Sequence, residues 1–385
     1  MQKVYLDNAA TTALRPEVVS VMTEVLQNEF GNASSTHQFG QASKSILERC
    51  RKDIAKQFNA APGEIIFTSG GTEADNLILQ SAVRDLGVQT IITSAIEHHA
   101  VLHTVEALAN HHDVALEFVA ITDSGAIDLD HLTQLLASQE NPSRVLVSLM
   151  HINNEIGSIL PLKEVADLCK SFGAYFHSDT VQSAGHYTLD FAEIPIDFAV
   201  VAAHKFHGPK GIGFAFIRKN SGLTPMILGG AQERGMRAGT EPVYAVAGMA
   251  KALELAYANL NQERVYVTEL KTHFIEGLNN IPGIRFNGPC RDLAKSTYTL
   301  VNIGLPINAE KAVMLLFQLD LKGIACSQGS ACQSGSSGGS HVLMALASVD
   351  NPPMPSLRFS FSIYNTKDEI DYTLKALQEY ILALA

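Results

Sequence analysis

The stretch Phe198–Arg218, FAVVAAHKFHGPKGIGFAFIR, decides how the chain is read. An apolar run, Phe198–Ala203, reads as a buried strand and ends abruptly in His204-Lys205. A glycine-rich turn, Gly208-Pro209-Lys210-Gly211, leads into a second apolar run, Ile212–Ile217. This layout sets one lysine at a strand end between apolar walls. Removing an amine from water disfavours its charged form and frees it to act as nucleophile or base. A solvated lysine at a strand end is the commoner case, so the assignment rests on partners elsewhere in the chain.

Working outward, Ile65–Thr68 reads as a strand that passes through Ser69-Gly70-Gly71-Thr72 into a helix predicted over Glu73–Leu86. Glycines let a backbone approach a ligand closely, and a helix start presents unpaired N–H groups. A phosphate fits there, with the Thr72 hydroxyl as a further donor; a plain strand–helix turn explains the same residues equally well. The Gly-Lys-Ser/Thr ending of a nucleotide P-loop is missing. Further strands are predicted over Gln89–Thr93, Ala115–Ile121, Arg144–Ile152, Ala174–His177 and Ile196–Ala203, with helices over Ala100–Asn110, Leu129–Ser138 and Leu162–Phe172 between them. Such alternation predicts an α/β fold whose mostly parallel sheet is covered on both faces. Ligands of such sheets bind beyond the carboxyl ends of the strands. Polar residues gather at those ends: Ser69 to Thr72, Glu97-His98-His99, His151 to Glu155, His177 to Gln182 and His204-Lys205.

At 385 residues the chain is long enough for two domains. The pattern changes after Thr240, where helices (Val243–Leu260, Arg264–Leu278) give way to strands (Thr297–Ile303, Leu357–Ile363) and helices near Ala309–Leu319 and Asp368–Leu384. A large domain over residues 15–260 and a smaller α+β domain over 1–14 and 261–385 are therefore expected. Ten of the fourteen residues in Ser327–Ser340 are Gly or Ser, a composition that predicts a mobile loop. The net charge of −11, without basic runs, argues against a general nucleic-acid or membrane-surface binder. No apolar segment approaches the roughly 18 residues that span a bilayer. Five cysteines without a framework fit a reducing compartment, so a cytoplasmic protein is expected. Cys50 and Cys169 fall on apolar helix faces and read as core. Fourteen histidines raise a metal-dependent hydrolase as an alternative, although no HExxH or paired CxxC spacing supports it.

Together the motifs carry more than each alone. The chain resembles the cysteine desulfurases, pyridoxal-phosphate enzymes of the class V aminotransferase group. The likeness runs nearly end to end through YLDNAATT, GNASSTHQFG, FTSGGTEADN, EHHAV, HINNEIG, HSDTVQSAG, AAHKFHGPKGIG, GGAQERGMRAGT, CSQGSAC and SLRFS, in family order. The run CSQGSAC is similar to that of the long-loop members. The resemblance implies the type I fold of pyridoxal-phosphate transferases, with a seven-stranded, mostly parallel sheet. It implies that Lys205 binds pyridoxal phosphate covalently, that Asp179 pairs with the pyridine nitrogen and Gln182 with the ring hydroxyl, and that His98 stacks on the ring and shuttles protons. Gly71, Thr72 and His204 match phosphate contacts. Thr240 matches a phosphate contact given by a neighbouring subunit, which implies a homodimer. Asn154 and Arg358 match partners of the substrate carboxylate, and Cys332 matches the nucleophile that takes sulfur from L-cysteine as a persulfide and leaves L-alanine. Cys332 would pass that sulfur to an acceptor protein such as an iron–sulfur scaffold, where it could also serve as a transient cluster ligand; tRNA thiolation draws on such enzymes too. Selenocysteine lyases and class V aminotransferases share the cofactor and stand as alternatives, though an aminotransferase needs no loop cysteine. Ala202 replaces a serine that contacts the phosphate in many members, Ala33 replaces a common proline, and SFSIYNT departs from the usual Gly-Arg run after Arg358. Cys326 ends an apolar stretch and reads as a packed residue more than as a second acceptor thiol.

Overall fold

A computed structural model describes residues 3–329, 339–348 and 352–383. The first half of the chain gives β1 (Val4–Tyr5), α1 (Pro16–Asn28), α2 (Gln38–Gln57), β2 (Ile65–Thr68), α3 (Gly71–Leu86), β3 (Thr90–Thr93), α4 (His99–His111), β4 (Ala115–Phe118), α5 (Leu129–Ala137), β5 (Val145–Ser148), α6 (Leu162–Phe172) and β6 (Tyr175–Asp179). The second half gives β7 (Phe198–Ala202), β8 (Gly213–Ile217), α7 (Val243–Ala258), α8 (Leu260–Leu278), β9 (Arg285–Phe286), β10 (Leu300–Gly304), α9 (Ala309–Leu321), β11 (Ile324–Ala325), α10 (His341–Ala345), β12 (Ser356–Ser360) and α11 (Lys367–Leu382).

Seven strands form the main sheet in the order β2-β8-β7-β6-β5-β3-β4. Only β8 runs against its neighbours, β7 and β2; the other pairings are parallel. The fold is thus the α/β arrangement that the alternating pattern predicts. Strand side chains alternate between two cores, as the two-residue period requires. Ala199 and Val201 of β7 join a core built with α1, α2, α5, α6 and α7, whereas Phe198 and Val200 join one built with α3 and α4. This double burial explains why β2, β5, β7 and β8 read as unbroken apolar runs. A separate core gathers Val4 and Leu6 with α8, α9, α11, β10 and β12, around Phe274, Phe359 and Leu377. Cys50 and Cys169 are buried in the first core, and the Thr366–Glu369 capping box opens α11 as its sequence suggests.

Several boundaries depart from the sequence pattern for local reasons. The strand predicted over Arg144–Ile152 stops at Ser148, because the chain then leaves the sheet to bring Asn154 toward the strand ends. The α2 helix is capped by His37 Nδ1, which accepts from the Gly40 N–H. The α3 helix starts at Gly71 because Gly70, at φ 152°, adopts a backbone conformation open to glycine. The short α10 had no apolar period long enough to announce it; Ser340 Oγ caps it by accepting from Leu343 N–H at 3.1 Å.

One buried ion pair ties the loop before α7 to the sheet. Arg51 on α2 donates through Nη1 and Nη2 to the two carboxylate oxygens of Glu233, at 2.7 and 2.8 Å. Glu233 Oε2 also accepts from the Phe67 N–H, and Arg51 Nη1 reaches the Ile65 carbonyl. These bonds hold Glu233 and Arg234 in left-handed backbone conformations (φ 47° and 58°). Replacing Glu233 with Ala leaves the buried guanidinium only the more exposed Glu48, on Nε at 3.2 Å, as an ionic partner, so a loss of roughly 3 kcal/mol is expected. Urea unfolding checks this through a lower midpoint at unchanged slope.

Candidate active site

The carboxyl ends of β2, β3, β5, β6 and β7 deliver residues to one cavity of about 210 Å³. Gly71 and Thr72 follow β2, His98 follows β3, and Asn154 follows β5; Asp179 and Gln182 come from β6, and His204 and Lys205 from β7. Arg358 of β12 and the backbone turn at Ala9-Ala10 close the opposite wall. A larger open groove between α1, α2 and α7 is lined by solvated charges such as Glu24, Arg49 and Lys251 and holds no comparable set.

Lys205 sits in a single turn of 3₁₀ helix after β7, and its Nζ donates to the carbonyls of Ala9 at 2.5 Å and Ala10 at 3.0 Å. Gln182 Nε2 donates to the same Ala9 carbonyl at 3.0 Å. Asp179 is buried, with Oδ1 accepting from the Val181 N–H at 2.9 Å. Burial raises its carboxyl, and that backbone bond and the charge of Lys205 pull it back toward the ionised form. His98 caps α4: its Nδ1 accepts from the Ala100 N–H at 3.1 Å, which leaves Nε2 to carry the proton of the neutral ring. Burial, then the charge of Lys205 and of nearby imidazoles, holds His98 down at about 4. His204 Nδ1 is buried without a partner among the described residues, on the cavity that the open start of α3 also lines. Ala202 lines the wall next to Gly71 and offers no hydroxyl.

Arg358 is fully buried. Its Nη1 donates to the Asn154 carbonyl at 2.7 Å and its Nη2 to Asp7 Oδ1 at 3.0 Å, while Nε has no partner among the described residues. A buried guanidinium with an unused donor, an uncapped helix start, an unpartnered imidazole nitrogen, an amine and a buried carboxylate around one cavity suit an anionic aromatic cofactor carrying phosphate and a ring nitrogen. The residues present fit pyridoxal phosphate.

Asp75 escaped the sequence reading, and Glu97 and His177 entered it only as polar residues at strand ends. Asp75 lines the cavity from α3, one helical turn after Gly71, and that four-residue spacing was the available signal. Burial, with the charges of Asp179 and Glu97, raises its carboxyl. Its Oδ1 stands 3.4 Å from His177 Nε2, and Ser148 Oγ lies 2.8 Å from His177 Nδ1. Glu97 accepts from Ser94 Oγ and the Met150 N–H, and burial pushes it up to about 8.

The cavity does not include Thr240, which is exposed on this chain. Cys332 and most of the Gly/Ser-rich stretch, 330–338, lie outside the described residues. Cys326 packs against the smaller core, and burial pushes its thiol far up, so it stays protonated and suits a packing role. Among the described residues, no group of three or more His, Cys, Asp and Glu side chains is placed to hold a metal ion. The His99 ring stacks at 4.4 Å on His103 and lies 4.4 Å from His341. Among the described residues, no helix is long and apolar enough to cross a membrane.

Comparison with known proteins agrees with this geometry. The chain belongs to the aminotransferase class-V family, which matches residues 4–373 and whose members are pyridoxal-phosphate enzymes. Within that family it falls among the cysteine desulfurases. It is 40% identical to the cysteine desulfurase IscS of Dictyoglomus turgidum, over 99% of this chain and 95% of that protein. It is 39% identical to that of Methanosarcina thermophila, over 99% and 92%. A solved NifS-like protein superposes with a TM-score of 0.90 at 33% identity, covering 100% of both chains. A solved structure of SspA in complex with cysteine gives a TM-score of 0.79 at 29% identity, covering 94% of this chain and 100% of that one.

The buried imidazoles set the acid limit of the fold. Burial holds His98, His99, His151, His204 and His207 at about 4 and His177 at about 3, against 6.5 in the unfolded chain. Between these values the unfolded chain binds protons that the fold refuses, so stability is lost as pH falls from 6.5 toward 4. Glu97, raised from 4.5 to about 8, acts in the opposite sense and lowers stability as pH rises between those values. Asp75, Asp179, Asp197 and Glu263, also raised, act as Glu97 does, and seven imidazoles, with His186 lowered like the other six, outnumber these five carboxyls in the acid window. Cofactor-free protein is therefore expected to be most stable near pH 6.5, with urea midpoints dropping steadily to pH 4.5. A midpoint that holds or rises on acidification contradicts this account.

Proposed function

We propose that this protein is a cysteine desulfurase that converts L-cysteine to L-alanine, keeps the sulfur as a persulfide on Cys332, and hands it to an acceptor protein such as an iron–sulfur scaffold. The observation that carries the reading is the single cavity in which Lys205, Asp179, Gln182, His98 and Arg358 meet. The curated relatives named cysteine desulfurase and the cysteine-bound SspA structure support the same substrate.

The residues divide the work by their chemistry. The start of α3 with Thr72, together with His204, takes the cofactor phosphate. Asp179 sets a carboxylate against the ring nitrogen, Gln182 turns toward the ring hydroxyl, and Lys205 holds the cofactor. Bound there, the cofactor acts as an electron sink that acidifies the substrate Cα and weakens its carbon–sulfur bond. Arg358 and Asn154 orient the substrate carboxylate. The Lys205 amine takes the Cα proton, and the neutral His98 moves protons at Nε2. The Cys332 thiolate attacks the substrate sulfur: the new S–S bond forms, the C–S bond breaks, and its electron pair stays on Cβ, which takes a proton to become the alanine methyl.

The chain works as a homodimer in the cytoplasm, with Thr240 completing the partner's phosphate site. Its exposure outside the cavity supports this, as do the exposed Phe30, Phe39 and Leu228 on the same chain. The large domain spans 15–260, and a smaller one, 1–14 with 261–385, carries the cysteine. Sedimentation is expected to give twice the chain mass, and Thr240→Ala to weaken cofactor retention about tenfold in dialysis. Cys332→Ser should keep the visible absorbance of bound cofactor while alanine formation from cysteine drops at least a hundredfold. Full turnover in that variant rejects the assignment, and Lys205→Ala is expected to release the cofactor on gel filtration.

A further inference from the structure

One carboxylate outside the cavity touches both halves of the proposed chemistry. Asp7 lies in the turn after β1, with its side chain 18% exposed against 1% for Arg358. Its Oδ1 accepts from Arg358 Nη2 at 3.0 Å and from Ser327 Oγ at 2.8 Å. Backbone bonds join the same two partners: the Arg358 N–H donates to the Ser327 carbonyl at 2.8 Å, and the Ser327 N–H to the Arg358 carbonyl at 3.2 Å. Ser327 stands five residues before Cys332 in the sequence.

The Arg358 guanidinium is thus pinned on both terminal nitrogens, by the Asn154 carbonyl at Nη1 and by Asp7 at Nη2. Two fixed contacts on a planar group set its plane. Among the described residues, nothing accepts from the buried Nε–H, on a residue that lines the cavity. A planar guanidinium binds a carboxylate well only when its orientation is set, because the paired N–H···O contacts are directional. The ion pair also offsets the cost of holding an otherwise unaccompanied cation at 1% exposure. Asp7 itself does not line the cavity, so it acts through Arg358.

We propose that Asp7 is a positioning residue for substrate recognition: its carboxylate orients Arg358 toward the carboxylate of the incoming amino acid, and the same oxygen fixes Ser327, at the base of the segment leading to Cys332. The inference rests on the reading of Arg358 as the carboxylate partner. It assigns a role to the YLD portion of the N-terminal motif that the cavity lining alone does not.

The test compares two amine thiols, L-cysteine and cysteamine, which differ by the carboxylate alone. Holoenzyme in the Cys332→Ser background binds both, and dissociation constants are read from the change in visible absorbance of the bound cofactor. Asp7→Ala is expected to weaken L-cysteine about tenfold or more and to leave cysteamine within twofold. Asp7→Asn keeps the shape and loses the charge, and serves if the alanine variant fails to fold; at least a threefold loss for L-cysteine alone is expected. Ser327→Ala, which removes one bond to Asp7 and leaves the guanidinium contact, should change neither ligand by more than twofold. Equal weakening of both ligands assigns Asp7 to the general frame and overturns the proposal. Unchanged or tighter L-cysteine binding overturns it too, the latter marking Asp7 as a competitor for the guanidinium. Arg358→Lys separates the two levels: if that variant binds L-cysteine normally, the carboxylate role of Arg358 itself fails, whatever Asp7 does.

Discussion

The Lys205 amine is met by two backbone carbonyls from the far end of the chain, and the architecture around the cavity follows from that contact. Residues 4 to 12 run between the cores like a seam. On one side β1 pairs with β11, Asn8 Nδ2 reaches the Ser360 carbonyl, and the Ala9 N–H donates to Ser360 Oγ. On the other, Thr12 bonds the His204 carbonyl through its N–H and its hydroxyl, and that hydroxyl accepts from the His207 N–H. The carbonyls of Ala9 and Ala10 are left to face Nζ. Lys205, the sheet that carries it and the β10–β12 layer that carries Arg358 are therefore fixed relative to each other by the backbone of residues 4 to 12 together with the side chains of Asn8, Thr12 and Ser360.

Charge in the cavity is arranged at low dielectric, where each group sets its neighbour. Asp179 and Asp75 share a buried region in which two full negative charges repel, while the Val181 N–H and the Lys205 amine favour ionisation at Asp179. His177 stays neutral between Asp75 and Ser148, and Glu97 spends its oxygens on the backbone of the segment leading to Asn154. The acids behind the cavity thus leave ionisation favoured at one carboxylate, that of Asp179.

Much of this was legible in the sequence. The strands around Lys205 and Thr68 declared themselves through apolar runs that stop at polar clusters, because strands buried on both faces leave no room for alternation. The cavity residues Thr72, His98, Asp179, Gln182 and Lys205 sit at those stops. Less legible were contacts made by long-range approach. The pairing of Asp7 with Arg358 spans nearly the whole chain, and the burial of Asp75 beneath the cavity depends on how α3 packs. Strand ends also shifted where the chain left the sheet to feed the site, as at Ser148, since residue pattern alone does not register a departure made for a contact elsewhere.

The capping bond of His98 has a consequence for reading kinetics. Its ring lines the cavity and at the same time closes the first turn of α4, so swapping it for alanine removes the proposed proton carrier and frays a helix in one stroke. Loss of such a cap alone amounts to about 1 kcal/mol, enough to shift neighbouring atoms without touching chemistry. Asparagine, a good cap with no titratable proton, isolates the chemical share of the damage, and the difference between the two replacements measures how much of the imidazole's apparent contribution is scaffolding.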